Sequence, residues 1–521
     1  MAHFDYEPLN LYDNFATASR KWPHVPIYFD QILAAFPELG LETNYQDALK
    51  SIDLRSKQLA RLGIKAGTKV MVYKAPAFDT YLLALALTKL GAVPVMVSYH
   101  LGSEVLKVFG QRLGPGHALI YDQVTAKTVS QLAIPDGSSY LSLGSILEAE
   151  EVKGLEPAKM DLDAIAYMTH TSGTTGVPKL ICHSCSSMGW RTLWQKRVLD
   201  QMQERKLSSF LVSPVHSRFN IGVSSLMSLG FPMMPLSNPD LASVEAAFRA
   251  HPPYAVETHP NHFVQWRSLA QDKPELFKET KYFHSTFDAI NGDTMASFLK
   301  AAKANHPVFL QVYGQSECGP MILRAHRLRS LANLEARDMG LGLGDLTMAR
   351  ICDAEGNPVK QGQPGHIQLY SKGRALSYYQ EEGRFAENVY GGWWESGDYG
   401  YLDERGHLYL QDRQVDLVEA LPSTLAIEDR LLDKLDFLAE AVIIRDPKGY
   451  AQPVIAINDG MSIDWQAWWH LTADMPHLNQ PIIMEWSDIP RTATMKVQRL
   501  ALRQELFNSV TKRYNARLDL T

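Results

Sequence analysis

Cysteine is scarce, four in 521 residues. So long and cysteine-poor a chain has no disulfide framework of the kind that staples short secreted domains. A dominant charge sign is missing too. Lys and Arg number 51 against 57 Asp and Glu, for a net charge of −6, and no basic run occurs, so no nucleic-acid partner is expected. The longest apolar run, Tyr81 to Val97, is broken by Lys89 and Gly91, and no membrane span is expected. The opening MAHFDYEPLNLYDNF mixes acids with aromatics and lacks the charged-then-apolar order of a signal peptide. Internal repeats and low-complexity tracts are absent as well. What is present is an ordinary globular composition, 45% apolar and 21% charged, on a chain long enough for more than one domain. A cytoplasmic enzyme is the expectation.

Two of the cysteines stand at C-x-x-C spacing, Cys182 and Cys185, a pattern that serves redox pairs and half zinc sites. The others, Cys318 and Cys352, are single, so no second pair completes a metal set. The plainer reading is two small buried residues where a strand enters a helix.

Short β-branched runs alternate with segments of helical period. Lys69 to Lys74 reads as a strand, Phe78 to Gly91 as a helix closed by glycine, and Val93 to Ser98 as the next strand. Further strands are expected at 164–169, SFLVSP, YAVET, KYFHST and FLQVYG. This alternation predicts an α/β fold with stacked, mostly parallel sheets, whose ligands sit beyond the carboxyl ends of the strands. From about Asn357, short Gly- and Pro-punctuated strands predict a small antiparallel β region. After it, helix 424–435, strands 439–445 and 453–457, and helices 463–473 and 500–515 predict a small α+β domain. The boundary is placed between Asp412 and Arg413, giving domains 1–412 and 413–521.

The stretch MTHTSGTTGVPKL, Met168 to Leu180, follows one of these strands. Small residues let backbone N–H groups approach phosphate oxygens closely. Hydroxyls of Thr171, Ser172, Thr174 and Thr175 add donors, and Lys179 adds charge. Gly173 and Gly176 precede V-P-K, which is not the spacing of a P-loop NTPase.

TSGTTGVPK resembles the phosphate-binding signature of the adenylate-forming (ANL) superfamily, which holds acyl-CoA synthetases, luciferases and adenylation domains. Other family motifs follow in order: ETNYQDAL, LTKLGAVPVMV, SPVHSRFNIG, YGQSECG, the stretch from Gly391 to Arg413, and IPRTATMKVQR. The resemblance implies a large N-terminal AMP-binding domain and a small mobile C-terminal domain carrying a catalytic lysine. It assigns Tyr313, with Gly314 and Ser316, to the adenine and nucleotide site. Glu317 becomes the Mg²⁺ ligand, Asp398 the ribose partner and Arg413 a ribose or phosphate contact. Lys496 is assigned to bridge the carboxylate and the α-phosphate as charge builds during attack. His216, Phe219, Asn220, Phe287, Asp288, Ala289, Cys318 and Met321 are assigned to the substrate pocket. The implied reaction activates a small-molecule carboxylic acid with ATP and Mg²⁺, then transfers the acyl group to the thiol of CoA or phosphopantetheine.

Several positions depart from the family pattern. Val415 stands where Asp or Lys is usual, Pro422 about where a tunnel-loop glycine belongs, Met495 before the catalytic lysine, and His366 and Cys185 at two further sites. Proline fixes φ and removes a donor, so that loop cannot take glycine's conformations. The residues of the adenylation step are kept while the thioester face is altered. The acceptor is therefore left open between CoA, the arm of an acyl carrier protein, an amine and the substrate's own hydroxyl, with a non-catalytic nucleotide-binding homologue as the other class. Asp288 stands at a glycine position, where it would orient a polar or amino-bearing substrate or cap the next helix.

Overall fold

The apolar runs of the first 315 residues become strands and helices close to where their periodicity puts them. The computed structural model describes residues 4–171, 177–202, 204–286, 290–333, 337–413, 417–418, 421, 423–458, 460–491 and 497–507. KVMVYK forms the strand Lys69–Lys74, and Phe78–Lys89 is the following helix. Gly91 then turns the chain at φ 69°, a left-handed conformation that costs glycine little. The return strand Val93–Ser98 lies parallel to Lys69–Lys74.

A seven-stranded sheet runs in the order Ser377–Tyr378, Leu180–His183, Tyr167–His170, Val93–Ser98, Lys69–Lys74, Ala118–Tyr121, Ser139–Ser142. Its last five strands are parallel, and the first two pair antiparallel. A fourteen-stranded sheet carries a parallel block through Pro26–Tyr28, Met233–Pro235, Ser208–Leu211, Ala255–Thr258, Tyr282–Thr286 and Val308–Gln315. One core cluster joins Val70, Val72 and Met96 of the smaller sheet to Ile27, Phe210 and Met233 of the larger, with helices Leu11–Lys21, Tyr45–Arg61 and Phe78–Lys89 contributing between them. Every residue of Phe78–Lys89 is buried, so its pattern is apolar all round rather than one-sided.

The antiparallel region is larger than its sequence texture suggests. It begins at Gly319–His326, 38 residues before Asn357, and continues the parallel block edge to edge through Asp338–Gly342, Leu408–Arg413, Trp393–Leu402, Gly365–Ser371 and Thr347–Cys352. The reversal happens at YGQSECG, where Gly319 takes φ 83° and faces Gln315 across the hairpin. A Cβ on Gly314 would meet the Gly319 carbonyl oxygen at 2.3 Å, so the turn closes only around glycine.

Beyond Arg413 lie helix Thr424–Lys434, the antiparallel pair Leu438–Arg445 and Ala451–Ile457, helix Trp465–Thr472, and strand Ile482–Ile483 parallel to Ala451–Ile457. Their apolar side chains pack among themselves, around Leu431, Ile443, Ile455 and Trp468 in one cluster and Val454, Ile489 and Leu502 in another. No helix among the described residues is long and apolar enough to cross a membrane.

Candidate active site

The loop quoted above joins two antiparallel strands, Tyr167–His170 and Leu180–His183, rather than leading straight into a helix. LICH is the strand that enters a helix at Cys182 and Cys185, as their plainer reading has it. Its neck is closed twice: the Thr171 amide donates to the Lys179 carbonyl at 3.0 Å, and the Lys179 amide donates to Thr171 Oγ1 at 3.0 Å. Ser172, Gly173, Thr174, Thr175 and Gly176 lie outside the described residues. The helix Cys185–Leu199 follows behind a reciprocal cap between Ser184 and Ser187.

Lys179 is brought to a residue that the sequence did not single out. Its ammonium sits 4.7 Å from the centroid of the Tyr378 ring, and the Tyr378 hydroxyl donates to Glu317 Oε1 at 2.7 Å. Burial, reinforced by the Glu317 charge, pushes that phenol far above its ordinary pKa, so it stays a neutral donor. Tyr378 reaches this place as part of Ser377–Tyr378, which pairs with Leu180–His183 from nearly two hundred residues away.

Arg191 braces the same corner. Its guanidinium, buried on the helix Cys185–Leu199, donates to the carbonyls of Ser316 (3.0 Å), Glu317 (2.8 Å) and Gly373 (2.6 Å) and to Ser217 Oγ (3.0 Å). Burial lowers its pKa to about 10, against nearby groups that raise it. Ser316 and Glu317 are thus held through their backbones.

Tyr313, Asp398 and Arg413 also meet. The Tyr313 hydroxyl donates to Asp398 Oδ2 at 2.7 Å, and Gln315 Nε2 donates to the same oxygen at 3.2 Å. Trp394 Nε1 fixes Gln315 through Oε1 at 3.0 Å. Asp398 and Arg413 are directly opposed in the antiparallel pair of Trp393–Leu402 and Leu408–Arg413. Three residues expected at the nucleotide site thus stand on one sheet, Asp398 and Arg413 on adjoining strands and Tyr313 reaching Asp398 from Val308–Gln315.

The expected pocket residues divide. His216 precedes helix Ser217–Ser228 at its N-cap, and Phe219 packs edge-on to Phe210 and Tyr81. Asn220 is fully buried and donates to the Tyr167 hydroxyl. Cys318 and Met321 lie inside an apolar cluster with Ile181, Ile322 and Tyr378. Phe287, Asp288 and Ala289 lie outside the described residues, as do Val415, Pro422, Met495 and Lys496. The cap of the helix Gly292–Ala301 is Asn291, whose side chain accepts from the Thr294 amide at 2.8 Å, so Asp288 is not needed for that role.

Cys182 and Cys185 are both buried, one in Leu180–His183 and the other opening the helix. Burial pushes their thiols up to about 12 and about 11, a setting for inert small side chains rather than reactive thiolates. No group of three or more His, Cys, Asp or Glu with metal-holding geometry occurs among the described residues.

The family model described as AMP-binding enzyme matches residues 15–379. The 3-amino-2-hydroxy-4-methoxybenzoate diazotase of Streptomyces cremeus is 32% identical over 518 residues, 94% of each chain. The 4-chlorobenzoate–CoA ligase of an Arthrobacter species is 22% identical, over 90% of this chain and 91% of that one. Among solved structures, the o-succinylbenzoate CoA synthetase of Bacillus subtilis in complex with its acyl-adenylate intermediate superposes with a TM-score of 0.79 at 16% identity, covering 96% of this chain and 99% of that one. The chain belongs to the AMP-binding enzyme family and is an adenylate-forming enzyme.

Proposed function

We propose that this enzyme uses ATP to adenylate a small oxyanion and passes the activated group to the amino nitrogen of an aromatic substrate. The observation that carries this reading is the full-length relationship to a diazotase at 32% identity, ten points above the aryl-CoA ligase. The altered thioester face, with Val415 and Pro422 at usually different positions, supports it.

In the diazotase form of the reaction, a nitrite oxygen attacks the α-phosphorus of ATP and pyrophosphate leaves. The arylamine nitrogen then attacks the nitrosyl nitrogen, AMP leaves and a proton is released. The neutral nitrosamine tautomerises to the diazohydroxide, which takes up a proton and loses water to give the aryl diazonium ion. No oxidant or reductant is needed.

The residues divide the work as follows. The loop Thr171 to Lys179 cradles the phosphates, and Lys179 supplies positive charge as pyrophosphate departs. Tyr313 supports the adenine side, while Asp398 and Arg413 hold the ribose. Glu317, a hard oxygen ligand oriented by the Tyr378 phenol, suits Mg²⁺ and would hold it against the phosphates. The cation would neutralise phosphate charge. Residues 413–521 form a mobile lid that brings Lys496 to the α-phosphate.

A second reading keeps the acid–thiol ligase, with a carboxylate adenylated and CoA or a carrier-protein phosphopantetheine as acceptor. The aryl-CoA ligase relative, matched over most of both chains, favours it.

Pyrophosphate–ATP exchange tests the two. Nitrite and a set of substituted benzoates would be offered separately, beside Lys496→Ala. Exchange driven by nitrite, with azo coupling of the product once an aminobenzoate is added near neutral pH, is the expected outcome. Exchange driven by a benzoate alone, followed by thioester formation with CoA, would replace the first reading by the second.

A further inference from the structure

A cavity of about 990 Å³ opens along the face of the large sheet that meets helices Cys185–Leu199 and Ser217–Ser228. Its wall is mostly apolar, with Leu199, Phe210, Gly222, Leu226 and Leu310 among its residues. One charged cluster is set into it. Arg218 donates to both oxygens of Glu257, Nε to Oε1 and Nη2 to Oε2, each at 2.7 Å, and Nη1 donates to Gln195 Oε1 at 2.5 Å. His284 Nδ1 lies 3.2 Å from Glu257 Oε2 and 3.3 Å from Arg218 Nη2.

Arg218 and Glu257 satisfy each other, so the pair is close to neutral. Burial works to raise the Glu257 carboxyl, and the Arg218 charge and the His284 ring outweigh it, leaving the group ionised well below its ordinary range. An ionised carboxylate is the stronger partner for Nδ1 than a guanidinium that already donates to that carboxylate. In the neutral ring the proton then sits on Nδ1 and the lone pair on Nε2. His284 Nε2 has no hydrogen-bond partner, although the residue is only 9% exposed. One further orphan, Ser208 Oγ, belongs to a residue of the same cavity. Buried polar atoms are rarely left unpaired, and an imidazole locked by a carboxylate is a directional acceptor.

The strand that carries His284 is paired with the one that runs on to the YGQSECG motif. His284 is opposite Leu310 in the parallel pair of Tyr282–Thr286 and Val308–Gln315, and the second strand ends at Tyr313 and Gly314. Four residues of strand span ~13 Å, about the length of a small substituted aromatic acid set end to end with the reacting phosphate. On helix Cys185–Leu199, Gln195 sits one turn beyond Arg191, the residue that holds Ser316 and Glu317.

From these positions we infer that His284 is a specificity-determining residue: its Nε2 accepts a hydrogen bond from a hydroxyl or amino group on the ring of an aromatic substrate seated in the cavity, with Glu257 and Arg218 positioning the imidazole. This rests on the aromatic substrate class proposed above, and it holds whichever nucleophile completes the reaction. The apolar wall takes the ring, and the neutral acceptor selects a neutral donor over a methyl ether of the same shape.

The test is binding, so it does not depend on turnover. Isothermal titration in the presence of α,β-methylene-ATP compares matched probes: 3- and 4-hydroxybenzoate against 3- and 4-methoxybenzoate, and 3-amino-4-hydroxybenzoate against 3-amino-4-methoxybenzoate. In the wild-type protein at least one donor-bearing probe binds about tenfold or more tightly than its methoxy partner, because the ether leaves the acceptor unpaired. His284→Phe keeps the ring and removes the acceptor, and it brings the pair to within about twofold. His284→Gln, with a carbonyl oxygen in reach, restores part of the preference. Circular dichroism confirms that the variants are folded. Equal wild-type binding of hydroxy and methoxy partners, a preference that survives in His284→Phe, or no binding of any benzoate overturns the inference. The nitrite-exchange experiment fails or succeeds independently, since it does not read ring substituents.

Discussion

The hydroxyl of Tyr378 donates to Glu317 Oε1 at 2.7 Å, joining an edge-strand residue of the smaller sheet to a hairpin residue of the larger one. The same ring lies under the Lys179 ammonium, so one tyrosine spaces the loop lysine from the carboxylate assigned to Mg²⁺. Tyr378→Phe keeps the ring and its packing but frees the carboxylate. A hydrogen bond to a charged group contributes about 1.5–3 kcal/mol, so the KM for MgATP is expected to rise about tenfold, with the thermal midpoint little changed. Exchange kinetics against Mg²⁺ concentration check this. An unchanged KM would mean that the phenol does not orient Glu317.

Arg191 makes a harsher prediction. Four acceptors converge on one buried guanidinium, and three of them are main-chain carbonyls from the Ser316–Glu317 turn and Gly373. Arg191→Met takes the guanidinium donor from the Ser316 and Gly373 carbonyls, while the Glu317 carbonyl keeps the Ala375 amide at 2.7 Å, at a cost of about 3–5 kcal/mol in urea unfolding. Arg191→Lys retains the charge but not the fork, and it is expected to fold while losing most exchange activity. A lysine variant with full activity would show that the fork does not position Glu317.

Tyr313, Glu317, Asp398, Arg413 and Lys179 could be named from the sequence because each sits in a contiguous motif of the resembled family, and the structure sets Tyr313 against Asp398, Asp398 opposite Arg413, and Tyr378 against both Glu317 and Lys179. Tyr378, Arg191 and the Arg218–Glu257–His284 cluster were not legible as a unit. Each is made by contacts between residues far apart in sequence, and no local period or turn signal records a pairing such as Tyr378 with Ile181. The fold divides the same way. Strands with a clear β-branched run, such as Lys69–Lys74 and Val93–Ser98, fell where the pattern put them. The early antiparallel strands did not, because Gly319–His326 reads much like the parallel strand before it, and only the glycine turn between them reverses the chain.

The four thiols give a prediction that separates a structural role from a redox one. All four are buried, and burial raises each of their pKa values. A thiol that ionises only near pH 12 or 11 presents almost no thiolate at pH 8. Native protein is expected to react with a disulfide reagent at pH 8 far more slowly than protein in urea, which exposes all four. Changing Cys182 and Cys185 together to Ala should leave exchange activity within about twofold. Loss of activity with retained folding would reopen a chemical role for the pair.

The junction after the last strand of the large sheet carries the clearest pH dependence. Asp412 is buried and accepts from the Thr424 amide at 3.1 Å and from the Thr424 hydroxyl, at the start of helix Thr424–Lys434. One turn on, Asp429 takes a two-pronged bond from Arg337 at 2.7 and 2.9 Å. Burial raises both carboxyls to about 6, against their hydrogen-bond donors, which pull the other way. A carboxyl whose folded pKa lies above its unfolded value stabilises the fold most below pH 3.8. That contribution is lost as pH climbs to about 6, and above 6 the ionised group is a burden. Each group accounts for at most about 3 kcal/mol over this window, by the energy of a two-unit shift. Asp412→Asn keeps an acceptor for the Thr424 amide and cannot ionise. Relative to it, wild-type urea stability should fall between pH 4 and 6 with the slope of about one proton, and the variant should be the more stable protein at pH 7.5. Parallel stability curves for the two would place the titration elsewhere and leave Asp412 as an ordinary ionised cap.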